Sequence, residues 1–149
     1  MGWLAKAREN IDKKAGRILR CSSLYETAPW GKTDQENFLN QALRVSVSWP
    51  APLLMSLLLE IEEQLGRKRG EKYGPRIIDI DILFYDDEII ALPDLTIPHP
   101  EIQNRRFALA PMEEIAADYI HPVMGKSIRD LLAECPDKGE VKRIKTPNT

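Results

Sequence analysis

The stretch Gly74-Pro75-Arg76-Ile77-Ile78-Asp79-Ile80-Asp81-Ile82-Leu83-Phe84-Tyr85 decides the reading of this chain. Its isoleucine-rich core predicts a β-strand over Ile77–Tyr85, ended by a turn at Asp86-Asp87 that leads into Glu88–Leu92. Side chains alternate along a strand, so Asp79 and Asp81 share one face, about 6.6–6.8 Å apart along the chain. Ile78, Ile80 and Ile82 take the other face, toward a core. Two neighbouring carboxylates in so apolar a segment are costly unless something positive neutralises them. Two readings stand at this point. One is the exposed face of an edge strand. The other is a Mg²⁺ site, with hard oxygen ligands from both aspartates and with phosphates and waters completing the coordination.

The residues just upstream weigh on that choice. Between Gly66 and Arg76 stand five positive residues, Arg67, Lys68, Arg69, Lys72 and Arg76, against the single negative Glu71. Alone, this is a solvated charge run. Running directly into the Asp-x-Asp strand, it supplies guanidinium forks that can grip a polyphosphate. Carboxylates for metal beside arginines for phosphate suit phosphoryl-type transfer, in which catalysis is mostly positioning and charge neutralisation. Neither a Walker A sequence nor a G-x-G-x-x-G occurs, which excludes the P-loop and Rossmann routes.

Further out, Trp3–Ala15 reads as an amphipathic helix on Leu4, Ala7, Ile11 and Ala15, with Gly16 suited to the C′ position. Strands are expected over Arg17–Glu26 and Phe38–Ser48, joined by a long loop, Thr27–Glu36, whose length hints at function. Pro50 and Pro52 open a helix over Ala51–Leu65. Pro93–Pro100 holds three prolines and cannot be a central strand. A helix from Pro100 or Arg105 to Ala117 should be kinked or split by Pro111, and a last helix covers Ser127–Glu134. The polar, basic tail at 136–149 should fray. This order predicts an α+β fold, a ferredoxin-like sandwich of antiparallel sheet and flanking helices whose first strand is missing.

Composition bounds the remaining possibilities. The 149 residues, 43% hydrophobic and 30% charged, fit one domain, 1–149, and exclude a disordered chain. The longest apolar stretch, around Pro52–Leu59, is far short of the ~20 residues that span a bilayer. A net charge of −2 argues against a dedicated nucleic-acid protein, including an RNA-binding module built on the basic loop. Cys21 and Cys135 are too few for a disulfide framework or a zinc site and are expected as free thiols. No apolar signal segment opens the chain, so a cytoplasmic protein working on something small is expected.

Six blocks then carry a resemblance: Pro29-Trp30-Gly31, Phe38-Leu39-Asn40, Leu65-Gly66-Arg67-x-Arg69, Gly74-Pro75-Arg76 through Leu83, Ile97-Pro98-His99-Pro100, and Asn104-Arg105-x-Phe107. In order and spacing the chain resembles the 6-hydroxymethyl-7,8-dihydropterin pyrophosphokinases along essentially its whole length. That resemblance implies transfer of the terminal diphosphate of ATP to the pterin hydroxymethyl group with release of AMP, in folate biosynthesis, by a monomer using two Mg²⁺ ions. It implies that Asp79 and Asp81 hold the metals, that Asp81 takes or relays the hydroxyl proton, and that Arg67 and Arg76 grip the phosphates. Glu62, Arg69, Tyr73, Ile82, Thr96, His99 and Arg105 would face ATP. Thr27, Pro29, Trp30, Phe38, Asn40 and Phe107 would form the pterin pocket, with Phe38 and Phe107 stacking on the ring and Asn40 reading its edge. His121 has no match in these blocks and is expected to be structural.

Three departures mark this sequence. The family opens with an apolar strand and Gly-Ser-Asn, whereas Met1-Gly2-Trp3 aligns with the first turn of the following helix, so an upstream strand is expected. Tyr73 stands where Trp is frequent, in a loop one residue shorter. Asp94 stands where some relatives carry a basic residue near the nucleotide.

Overall fold

The structure is a computed structural model, and it describes residues 2–27, 38–66 and 78–145. Its first layer is helical. Helix α1 (Gly2–Asn10) continues through a wider turn, Ile11–Ala15, and lies against α2 (Ala51–Gly66). Ala51, Leu54, Leu58, Ile61 and Leu65 recur every three or four residues along α2 and are all buried, several of them against Ala7, Ile11 and Ala15. Gly16 is extended (φ 172°, ψ 173°), not left-handed as a C′ glycine would be. It is needed for a different reason: a Cβ there would lie 2.4 Å from the Ser46 carbonyl oxygen.

A bent antiparallel ribbon follows. Its near half pairs β1 (Arg17–Cys21) with β4 (Leu43–Ser46); its far half pairs β2 (Leu24–Thr27) with β3 (Phe38–Asn40). The two long strands expected from the sequence are thus each broken in two, at Ser22-Ser23 and at Gln41-Ala42. Both serines are fully buried, and hydrogen bonds of their side chains replace regular ladder bonds at the break. The outer edge of β2 takes β7 (Lys142–Lys145), giving the order β3-β2-β7. That corrects the expectation of a frayed tail over its described part, since the free edge of β2 supplies a partner for a polar segment. Cys21 and Cys135 are free.

Ile78–Tyr85 forms no strand, contrary to the sequence expectation, although its faces are those expected. Ile78, Ile80 and Ile82 pack on the α1–α2 core, while Asp79 and Asp81 are exposed. A ladder needs a neighbouring strand, and none runs beside this segment among the described residues. Its backbone is held from elsewhere: Glu62 on α2 accepts from the Ile80 N–H, and the Leu83 carbonyl accepts from the His99 N–H at 2.9 Å. The hairpin β5 (Ile90–Leu92) and β6 (Leu95–Ile97) leads to His99, after a cis Ile97–Pro98 bond. Helix α3 (Arg106–Ala116) runs through Pro111 without being split, because Leu109, Pro111, Met112 and Ile115 are all buried. It packs on α4 (Ile128–Glu134), which Ser127 caps by accepting the Asp130 N–H at 3.1 Å. Helices and antiparallel sheets together make an α+β fold. No described helix is long and apolar enough to cross a membrane.

Candidate active site

One cavity of about 100 Å³ gathers residues from separate parts of the chain. Asn40 enters from the end of β3, Asp79 and Asp81 from the carboxylate segment, His99 from beyond β6, and Arg105 and Phe107 from the start of α3. The aspartates face it because the alternate isoleucines are drawn into the helical core. Ile102 and Pro111, both buried, close the floor.

The charged groups are individually positioned. His99 Nδ1 accepts the Glu101 N–H at 3.1 Å, so a neutral ring carries its proton on Nε2. Burial pushes the His99 pKa down and Arg105 adds to this, against the opposing pull of Asp81 and Glu101. The neutral form is therefore the one present at pH 7. The Arg105 guanidinium lies 5.8 Å from the centroid of the Phe107 ring, which holds both side chains at the cavity edge.

Other expected residues lie around this centre. Glu62 sits behind the carboxylate segment, on the Ile80 amide between the two aspartates. Ile82 packs with Leu95 and Ile97 in the core between α2 and the hairpin. Thr96 shares with His99 a neighbouring apolar cavity of about 240 Å³. Thr27 and Phe38 pair across the ribbon's far end, and Phe38 is 55% exposed, so neither reaches the cavity. Pro29, Trp30, Arg67, Arg69, Tyr73 and Arg76 lie outside the described residues. His121 is buried, and its Nδ1 accepts the N–H groups of Val123 and Met124 at 3.1 Å each, the turn-capping role of a structural histidine. Gln41 and Ala42, which no sequence motif marked, also line the cavity. The only sign of Gln41 was a second amide beside Asn40.

The donor set suits Mg²⁺. Two outward carboxylates offer hard oxygen ligands and leave the remaining positions to phosphate and water. Among the described residues no group of three or more His, Cys, Asp or Glu forms a metal cage on its own. A cleft of this kind, with acid, arginine and neutral imidazole beside an amide and an aromatic ring, suits a transferase that handles a metal-bound polyanion beside a flat ring compound.

Comparison with known proteins names the class more closely. The chain belongs to the 7,8-dihydro-6-hydroxymethylpterin-pyrophosphokinase family, whose model matches residues 1–117. It is 43% identical over 117 residues to a 2-amino-4-hydroxy-6-hydroxymethyldihydropteridine pyrophosphokinase of Synechocystis sp., a match covering 78% of this chain and 60% of that protein. The enzyme of the same name from Methylorubrum extorquens is 37% identical over 142 residues, 95% of this chain and 88% of the relative. A folic acid synthesis protein of Pneumocystis carinii is 40% identical over 136 residues, which is 91% of this chain but only 18% of that longer protein.

Proposed function

We propose that this protein transfers the terminal diphosphate of ATP to the hydroxymethyl group of 6-hydroxymethyl-7,8-dihydropterin, releasing AMP, as a step in folate biosynthesis. The observation that carries this reading is the single cavity that sets Asn40 and Phe107 beside Asp79, Asp81, His99 and Arg105. Asn40 presents both a donor and an acceptor to the pterin edge, and Phe107 offers a ring face. Pro29 and Trp30 join them on the pterin side, while Thr27 and Phe38, paired at the ribbon's far end, stand outside the cavity lining. His99 and Arg105 face the phosphates, where Arg105 supplies positive charge and neutral His99 donates from Nε2. Glu62, Arg69, Tyr73, Ile82 and Thr96 complete the nucleotide side.

Asp79 and Asp81 would hold the two Mg²⁺ ions the family resemblance implies, and these would neutralise phosphate charge. The pterin hydroxyl oxygen bonds to the β-phosphorus as the bond from that phosphorus to the α-β bridging oxygen breaks. The hydroxyl proton passes to the Asp81 carboxylate, and the electron pair leaves on the AMP oxygen. Arg67 and Arg76 grip the transferred diphosphate and offset the charge growing on AMP.

The helices and antiparallel strands fit a ferredoxin-like sandwich. That fit is supported by Ile78–Tyr85, which alternates core-facing isoleucines with outward aspartates as a sheet strand does. The single domain works as a cytoplasmic monomer on small molecules, with no nucleic-acid partner, in keeping with its net charge of −2. The test is AMP release from ATP, Mg²⁺ and the hydroxymethyl pterin, with Asp81→Ala alongside. AMP is expected from the unsubstituted chain and only a trace from the variant. No AMP from a demonstrably folded chain would overturn the reading.

A further inference from the structure

The ribbon bends where it meets the cavity. Between the pairs Cys21↔Leu43 and Tyr25↔Asn40, the first strand spends three residues and the second only two, Gln41 and Ala42. That count defines a bulge, and bulges turn the strand and re-aim the side chains beside them. The extra residue is on the first strand, at Ser22–Leu24, and the shorter strand opposite it carries Asn40, next to the break.

The bulge is held by an unusually complete set of bonds. Ser22 N–H donates to the Ala42 carbonyl at 2.9 Å, and the Ala42 N–H donates to Ser22 Oγ at 2.9 Å. Ser22 Oγ in turn donates to the Ser23 carbonyl at 2.7 Å. On the far side, Glu114 of α3 accepts the Ser23 N–H at 3.0 Å, Ser23 Oγ–H at 3.1 Å and the Tyr25 hydroxyl at 2.8 Å. Gln41 closes the near side. Its Nε2 donates to the Ser22 carbonyl at 2.7 Å, while its Oε1 accepts from Arg8 Nη1, on α1, at 2.8 Å. Both ends of the Gln41 amide are therefore engaged away from any substrate, although the residue lines the cavity wall. Arg8 itself does not line that cavity.

We infer that Gln41, clamped between Arg8 and the Ser22 carbonyl, is a positioning residue that fixes how its neighbour Asn40 presents its amide to the ring edge of the pterin. The inference rests on the pterin side assigned above. The ligand chemistry it selects is a flat heteroaromatic with an adjacent hydrogen-bond donor and acceptor on one edge. ATP, assigned to Asp79, Asp81, His99 and Arg105, does not depend on it.

Arg8→Ala is the decisive variant, because it acts on Asn40 only through Gln41. Steady-state AMP release and direct titration of the intrinsically fluorescent pterin are measured together. Arg8→Ala and Gln41→Ala should each raise the pterin KM and Kd about tenfold, the loss of roughly one well-placed hydrogen bond, with kcat and the KM for ATP within about twofold. The double variant should be no worse than either single one, since both cut the same chain of bonds. Arg8→Lys, which restores a donor, should recover most of the pterin affinity. An unchanged pterin Kd in Arg8→Ala would overturn the inference, as would equal weakening of pterin and ATP, the pattern of general loosening. An unsubstituted chain that binds the pterin but releases no AMP would instead overturn the functional reading, and the Kd series would still decide the positioning role. A folded chain that neither binds the pterin nor releases AMP overturns both.

Discussion

The two walls of the cavity are built on opposite principles. The acidic wall, Asp79 and Asp81, stands on a segment whose alternate isoleucines are sunk in the α1–α2 core. The amide wall, Asn40 to Ala42, stands on a bent ribbon locked by buried serines, Gln41 and Glu114. Apolar burial is non-directional, so it sets which face the carboxylates take, and the bond from the Ile80 N–H to Glu62 fixes the backbone between them. Hydrogen bonds are directional, so they fix the aim of a single side chain. On the proposed function the acidic wall serves charge, where ångström-level aim would come from the phosphates themselves. The amide wall serves recognition, where the protein must supply the aim itself.

The largest expected effect lies on the acidic wall. Asp79→Ala removes one of the two carboxylates proposed to hold metal, and a loss of several kcal/mol of charge stabilisation corresponds to a fall in kcat of roughly 10³-fold. Its melting temperature should hardly move, because Asp79 is exposed. Rapid-quench measurement of AMP together with thermal unfolding checks both parts. A large drop in stability would show that this wall is held by its acids, and the contrast between the walls would fail. Ile78→Ala should do the reverse. Ile78 is 8% exposed in the α1–α2 core, and its truncation should cost about 2–4 kcal/mol in urea unfolding. At temperatures where the variant remains folded, the AMP rate should fall far less than in Asp79→Ala.

The same contrast explains what was legible in the sequence. Alternation at Ile78-Asp79-Ile80-Asp81-Ile82 correctly placed every side chain of the acidic wall, because burial needs only the right residue on the right face. It did not show whether a strand ran alongside, since a ladder partner lies elsewhere in the chain and leaves no mark on this segment. On the ribbon the failure was of another kind. Ser22-Ser23 fell inside one expected strand, Arg17–Glu26, and the partners that break it there, Gln41 and Glu114, stand 19 and 91 residues away. The tail was misread for the same reason: Lys142–Lys145 has no apolar pattern of its own and is ordered by the open edge of β2. His99 and Arg105 were placed by motif, and the geometry then brought both to the cavity.

The smallest expected effect tests whether the amide wall depends on its polar clamp. Burial works to raise the Glu114 carboxyl, but hydrogen bonds from the Ser23 N–H, the Tyr25 hydroxyl and Ser23 Oγ, with Arg143 nearby, outweigh it and hold the pKa below the ordinary 4.5. A lowered carboxyl contributes stability above its unfolded pKa and loses it as pH falls through the folded one. Tyr25 titrates the opposite way: burial, followed by its bond to Glu114, pushes its hydroxyl up to about 12. Its contribution is complete below 10 and disappears as pH rises toward 12. The clamp should thus weaken at both ends of the pH range, and each end belongs to one residue. Glu114→Gln should flatten the acid limb of the stability profile below pH 4.5, and Tyr25→Phe the alkaline limb above pH 10. Denaturant titrations across pH separate the two. Identical acid limbs in the Glu114→Gln variant and the unsubstituted protein would mean that the ribbon's bend is held by its backbone bonds and buried serines, with the carboxylate a bystander.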